Sequence, residues 1–178
     1  MPRLSPPVSF VAILLVCYGA WYAAYELVLR PDGRLDAAVA HAVAATAWAQ
    51  LDVLGQPVAV SGRTVRLAGT SGVFVEDGCN GLSALGLFAG FVLAYPGRWR
   101  RRLWFVPLGL LVVFLANVAR VAALAYFAAH WPAGFDLLHS VGTSAFFYFV
   151  IFGLWVLWAH VGGSRLHPAS ALEPALAT

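Results

Sequence analysis

The sequence predicts a mainly α-helical membrane protein: a polytopic bundle of about four transmembrane helices carrying an extracytoplasmic amphipathic helix and a small β-hairpin. Three observations carry this expectation. The 178 residues are 61% hydrophobic and only 11% charged, against about 25% charged in an ordinary globular domain. Apolar runs at residues 8–29, 79–95, 103–127 and 139–160 reach the lengths that cross a bilayer, the second at the short end. The substantial polar region is confined to residues 30–70, between the first run and the second.

Taken in order, residues 1–7 form a short leader containing Arg3. The first run holds one late charge, Glu26. It exceeds the apolar core of about 7–15 residues of a secretory signal peptide, so it reads as an uncleaved first span. Pro31-Asp32-Gly33 is a turn signal. Residues 35–51 are Ala-rich, with Asp36, His41, Thr46 and Gln50 spaced along them. They predict an amphipathic helix lying on the membrane or on the bundle. Residues 57–60 and 63–67, joined by Ser61-Gly62, predict a hairpin with a two-residue turn. Val73-Phe74-Val75 adds a third strand ending at Glu76-Asp77.

Residues 79–95 form the second span, closed by Pro96-Gly97. The third, 103–127, is apolar except for Asn117 and Arg120, and a loop at 128–138 leads to the fourth. Residues 1–161 thus make one membrane domain. From Gly162 onward the chain is Ala/Pro/Ser-rich and predicts a disordered cytoplasmic tail.

Charge sets the orientation. The formal net charge of +3 comes from 11 arginines. Four of them, Arg98, Arg100, Arg101 and Arg102, fall in one short segment without an acid. Between apolar spans such a cluster is a topology signal rather than a nucleic-acid patch, and it assigns that loop to the cytoplasm. Residues 30–77, with four Arg against five Asp or Glu, then face outward, as does 128–138. Both termini fall inside, with Arg3 and Arg165. The expected location is the bacterial cytoplasmic (inner) membrane, with the outer face in the periplasm. Cys17 and Cys79 differ in depth by about 10–15 Å at the helical rise, beyond the reach of a disulfide, so two free thiols are expected.

This topology brings three reactive groups to one mouth. Cys79 opens the second span and His139 the fourth, while Arg120 lies about 10 Å below the outer end of the third, within reach of an upward-extended side chain. Cys79, Ser83, Gly86 and Gly90 share a helical face, and Gly86-xxx-Gly90 is a pattern for close helix packing, which turns the cysteine face into the bundle. Asn117 and Arg120 share a face, as do His139 and Thr143. A helix beginning at Asp77 or Gly78 would put the thiol in its first turn, where the dipole and Arg120 stabilise negative sulfur; Glu76 and Asp77 oppose this. Each residue also has a plainer role. Cys79 can be a small packing residue. Arg120 can sit in an ion pair or on a lipid headgroup. His139 can be a polar cap, and Asn117 an interhelical hydrogen bond. His41, His130, His160 and His167 read as structural or solvated. The Cys and His spacing is not that of a metal site, and no cofactor is implied.

Gly69 and Val75, then Cys79-Asn80-Gly81, then Asn117-Val118-Ala119-Arg120 in the next span and His139 opening the last, resemble the exosortase/archaeosortase family over about residues 69–160. The resemblance implies a polytopic membrane enzyme acting as a cysteine transpeptidase. Its partners would be membrane-tethered proteins with a C-terminal sorting signal (a short motif, a hydrophobic span, then basic residues), and not nucleic acid. It implies Cys79, Arg120 and His139 as the catalytic set, with Glu76, Gly78, Asn80, Gly81 and Asn117 supporting them or the substrate. Cys79 would attack the peptide carbonyl, Arg120 would hold the oxyanion or thiolate, and His139 would protonate the leaving amine and then activate the acceptor. Gly78 and Gly81 would let the substrate backbone approach, and residues 30–70 would shape its groove. Two departures stand out: many members have about eight spans, and Ser is common where this chain has Asn80. A membrane cysteine protease that only hydrolyses uses the same residues. A non-catalytic assembly or lipid-binding factor for envelope polysaccharide export, holding an anionic headgroup with Arg120, is the reading from a different class.

Overall fold

The computed structural model describes residues 6–162. Arg3 and most of the expected leader, and the expected tail with Arg165 and His167, lie outside the described residues. The first helix, α1 (Pro6–Ala24), continues through a π-helical turn at Tyr25–Leu29, and the apolar stretch Pro7–Asp32 is long enough to cross a membrane. Gly33, at φ 67°, ends it; only glycine adopts that left-handed conformation freely. Helix α2 (Arg34–Val53) then buries Ala40, Val43, Ala44, Ala47 and Leu51. Small residues at this helical spacing let it lie close against its neighbour.

Strands β1 (Val58–Ser61), β2 (Thr64–Leu67) and β3 (Val73–Phe74) form an antiparallel sheet in that order. Ser61 pairs with Thr64, so the turn is Gly62-Arg63, one residue later than expected. Positive φ falls on Gly62 alone of the two, as a type II′ turn requires. Val65 and Leu67 point inward from β2 and alternate with outward-facing residues.

A 3-10 turn at Asp77–Cys79 leads to α3 (Leu82–Ala94). Its 13 residues give a length of about 20 Å, against a bilayer hydrocarbon core of about 30 Å. Two longer helices complete the bundle. Helix α4 (Trp99–His130) has 32 residues. Helix α5 (Thr143–Val161) ends the helical stretch Pro132–Val161, which contains a π-helical turn at Leu138–Gly142. Three helices are thus long and apolar enough to cross a membrane, and α3 is a shorter apolar one. The protein is a multi-pass helical bundle with a small sheet.

Three boundaries differ from expectation. The second apolar helix begins at Leu82 rather than at residue 79, because Gly81 stands at φ 84° and breaks the helical path. Cys79 therefore stays in the turn before the helix, and the helical face drawn through it and Ser83 does not exist; Ser83 is exposed. Gly86 and Gly90 do pack closely, against Trp21 and Cys17 of α1. The loop expected at 128–138 is largely helical: α4 runs on to His130, and Pro132 opens the next helical stretch, at a position where its missing N–H costs nothing. Helix α4 also starts earlier than expected, with Arg98 as its N-cap and Arg100, Arg101 and Arg102 in its first turn.

Those arginines oppose the dipole of α4 but serve its neighbours. Arg102 Nη2 donates to the carbonyl of Tyr95 at 2.9 Å, and Arg101 donates to that of Val161. The backbone N–H of Arg98 donates to Gly162 O at 2.9 Å. Carbonyls left unpaired where α3 and α5 end thus find donors, and three helix ends are tied together.

The molecule has two cores, and α4 runs through both. Phe88, Phe105, Val113, Ile151 and Trp158 fill the one nearer the arginine cluster, between α3, α4 and α5. Val43, Ala47, Val65, Val75, Val118 and Ala122 fill the other, between α2, the sheet and α4. Asn117 lies where the first gives way to the second, and there the 3-10 turn meets α4.

Candidate active site

The segment Glu76–Gly81 is held by polar groups from two helices. The N–H of Cys79 donates to Glu76 O at 2.9 Å, closing the 3-10 turn. Asn117 Nδ2 donates to the carbonyl of Cys79 at 3.0 Å. Asn117 is fully buried, so this bond fixes the turn against α4. Gly81 suits the same spot for two reasons. Its φ of 84° disfavours any side chain, and a Cβ there would stand 3.2 Å from Cγ and Nδ2 of Asn117. Among the described residues, the close approach that Gly81 permits is to Asn117. Gly78 differs: it is exposed and a Cβ would meet nothing within 4 Å.

Asn80, also buried, faces the opposite way. Its Oδ1 accepts from the N–H of Leu82 at 2.9 Å, satisfying one orphan donor at the start of α3. Its Nδ2 donates to Asp36 Oδ1, in the first turn of α2, at 2.6 Å.

One helical turn beyond Asn117, Arg120 reaches the thiol. Its Nη2 stands 4.0 Å from Cys79 Sγ, and Nη1 is 3.4 Å from Asn117 Oδ1. The guanidinium carbon lies 6.0 Å from the centre of the Phe147 ring, at the outer limit of a cation–π contact. Arg120 forms no salt bridge among the described residues, so the ion pair that offered a structural role for it is not formed there. Its Nε is buried without a partner. A partly buried cation with no counter-charge in such a setting attracts whatever anion the site generates. Of the two acids beside the thiol, Asp77 is paired with Arg63, and Glu76 is exposed. The pairing offsets part of the repulsion that Asp77 would exert on negative sulfur.

His139 is not brought to the pair. It lies exposed in the π-helical turn before α5, its ring stacked on Phe135 with centroids 5.8 Å apart. Among the described residues its imidazole makes no hydrogen bond. Phe147, which touches Arg120, lies two turns further along, about 12 Å by helical rise. Thr143, between them, is buried with its hydroxyl donating to Leu138 O. Single-turn π-helical insertions of this kind are frequent at functional sites.

Two residues around this site escaped sequence reasoning: Asp36, taken as one polar position of an amphipathic helix, and Tyr25, whose hydroxyl donates to Asp36 Oδ1 at 3.0 Å. The available signal was an acid placed just after Gly33, at a helix start. The free thiols are two, as expected, with Cys17 packed beside Gly90. An apolar groove of about 640 Å³ opens between α1 and α3, lined by Cys17, Trp21, Leu82, Gly86 and Leu93 among others; it does not include Cys79, Arg120 or His139. Among the described residues no cluster of three His, Cys, Asp or Glu side chains is placed to hold a metal ion. What the site offers is a thiol, a guanidinium and two buried amides.

The family model described as transmembrane exosortase (Exosortase_EpsH) matches residues 10–156. No curated protein and no solved structure matches.

Proposed function

Because this chain belongs to the transmembrane exosortase family, we propose that it is a membrane-embedded cysteine transpeptidase that cleaves the C-terminal sorting signals of exported proteins and transfers them to an acceptor. The observation that carries this reading is the Arg120 guanidinium, without an acidic partner among the described residues and 4.0 Å from Cys79 Sγ. A half-buried thiol facing such a cation has the surroundings of a nucleophile rather than of a packing residue.

In this mechanism the Cys79 thiolate attacks the carbonyl carbon of the scissile peptide. The C–S bond forms as the carbonyl π pair moves to oxygen, and Arg120 stabilises the resulting oxyanion. His139 gives a proton to the leaving nitrogen, the C–N bond breaks, and a thioester remains on Cys79. The acceptor loses its proton to His139, attacks the thioester and releases the thiolate. Since His139 does not touch Cys79, the bound peptide lies between them, its leaving nitrogen on the His139 side. The open space over Gly78 lets the substrate backbone pass, α2 and the sheet form a wall of the groove, and the substrate's hydrophobic span docks beside α3, α4 and α5. The end of the bundle opposite the arginine cluster faces the periplasm, in accord with the positive-inside rule.

The test is a tagged protein from the same genome, ending in a short motif, an apolar span and basic residues, expressed with the full-length chain. Cys79→Ala is expected to abolish its C-terminal shortening, and hydroxylamine to release a thioester-bound fragment from the unsubstituted protein. Shortening that continues unchanged in Cys79→Ala overturns the reading.

A further inference from the structure

We propose that Asp36 is a positioning residue for the nucleophile: through Asn80 it sets the turn that holds Cys79 Sγ against Arg120. The inference deepens the peptidase reading and rests on it for its functional meaning.

Asp36 is only 1% exposed, and a carboxylate is rarely buried so fully unless it is paired. Among the described residues no arginine forms a salt bridge with it. Its Oδ1 accepts from two donors, Tyr25 OH at 3.0 Å and Asn80 Nδ2 at 2.6 Å, and its Oδ2 has no partner. The start of α2 supplies partial positive charge. Desolvating this side chain is unfavourable, and the groups it gathers belong to three elements: the π-helical turn after α1, the first turn of α2, and the nucleophile segment.

The consequence for Asn80 is geometric. A carboxylate accepts and a backbone N–H donates, so the amide has one orientation, Nδ2 toward Asp36 and Oδ1 toward Leu82. The residue after the nucleophile is thereby fixed at both ends of its side chain. On the other side of the segment, Asn117 holds the Cys79 carbonyl. Asp36 and Asn117 thus clamp the turn from α2 and from α4, and the 4.0 Å approach of Arg120 to sulfur depends on both. A serine after the cysteine would be too short to make this link; the longer Asn80 makes it.

The test uses the full-length protein in phospholipid proteoliposomes, with Cys17→Ala so that Cys79 is the single thiol. Alkylation of Cys79 by neutral iodoacetamide is compared with alkylation by anionic iodoacetate. A guanidinium beside sulfur favours the anionic reagent, so the ratio of the two rates reads the approach of Arg120, and Arg120→Gln gives its floor. Asp36→Ala is expected to lower the ratio by about threefold or more, a modest part of a unit-charge interaction at a few ångströms. Asp36→Asn keeps an acceptor oxygen for Asn80 and is expected to stay within about twofold of the unsubstituted protein. Asn80→Ser keeps an acceptor for the N–H of Leu82 but offers Asp36 no amide donor, and should fall with Asp36→Ala; it carries the test if Asp36→Ala lacks a cooperative melting transition. A folded Asp36→Ala or Asn80→Ser protein with an unchanged ratio overturns the proposal, and so does Asp36→Asn falling as far as Asp36→Ala. The labelling needs no substrate, so failure of the peptidase reading would appear separately, as an intact ratio in a protein that cleaves nothing.

Discussion

Replacing Gly81 with alanine tests the construction of the site most directly. A non-glycine residue in the left-handed conformation costs about 1–2 kcal/mol. The added methyl would also stand 3.2 Å from Cγ and Nδ2 of Asn117, and overpacking of that kind costs about 1–3 kcal/mol. Together the two terms give about 2–5 kcal/mol, of which only the steric part is relieved when Asn117 shifts. That shift lengthens the 3.0 Å bond to the Cys79 carbonyl and the 3.4 Å contact with Arg120, so strain in the loop becomes misalignment of the thiol. If about 2 kcal/mol of it appears in the barrier, processing slows by about 30-fold. The assay is the rate of C-terminal shortening in isolated membranes beside the melting temperature in detergent. Gly78→Ala is the contrast: with nothing near its Cβ it should melt with the unsubstituted protein while raising the apparent KM for the substrate. Gly81→Ala with both an unchanged rate and an unchanged melting temperature would refute the loop geometry.

Two further substitutions probe different parts. In Gly86→Ala the new Cβ would lie 2.1 Å from Trp21 Cε2, so stability should fall by about 1–3 kcal/mol in thermal unfolding and recover when Trp21→Leu is added; a Gly86→Ala protein that melts normally would mean that α1 does not pack there. His139→Ala should slow processing by about 10²–10⁴-fold, the usual range for a general acid–base. Iodoacetamide labelling of Cys79 should stay near its original rate, because the imidazole touches neither Cys79 nor Arg120. Processing at the original rate would remove His139 from the mechanism.

The pairing of Cys79 with Arg120 was legible because charge placement fixes which helix ends meet, and helical rise fixes depth. Asn117 was legible as a hydrogen-bonding residue for the same reason, since a buried amide on α4 must find a partner. The start of α3 was misjudged because an apolar run reports length, not backbone direction. Asn80-Gly81 is itself a turn signal, and the hydrophobic residues after it masked the signal. The link from Asp36 to Asn80 spans 44 residues in sequence; it exists only once α2 has packed on α4, and no local pattern encodes it. The π-helical turn at His139 is likewise a product of how α5 and its preceding turns settle against the bundle, not of a spacing readable in the chain.

In the peptidase reading, the shortness of α3 has a consequence for which bond can be cut. Its start at Leu82 lies about 20 Å from the arginine-bound end of the bundle, with Cys79 in the turn just before it; in that reading, about 10 Å of hydrocarbon depth is left above the thiol. In the reading proposed above, a peptide cleaved there must descend into the outer leaflet in extended form, at about 3.3 Å per residue. A substrate anchored alongside would reach the thiol by unwinding about three residues at the start of its own membrane helix. In that reading the helix acts as a measuring rod, which would select substrates by the number of residues between the bond to be broken and the anchor. One extra turn in α3 would raise the cutting height by about 5.4 Å and move the preferred bond outward by one or two residues.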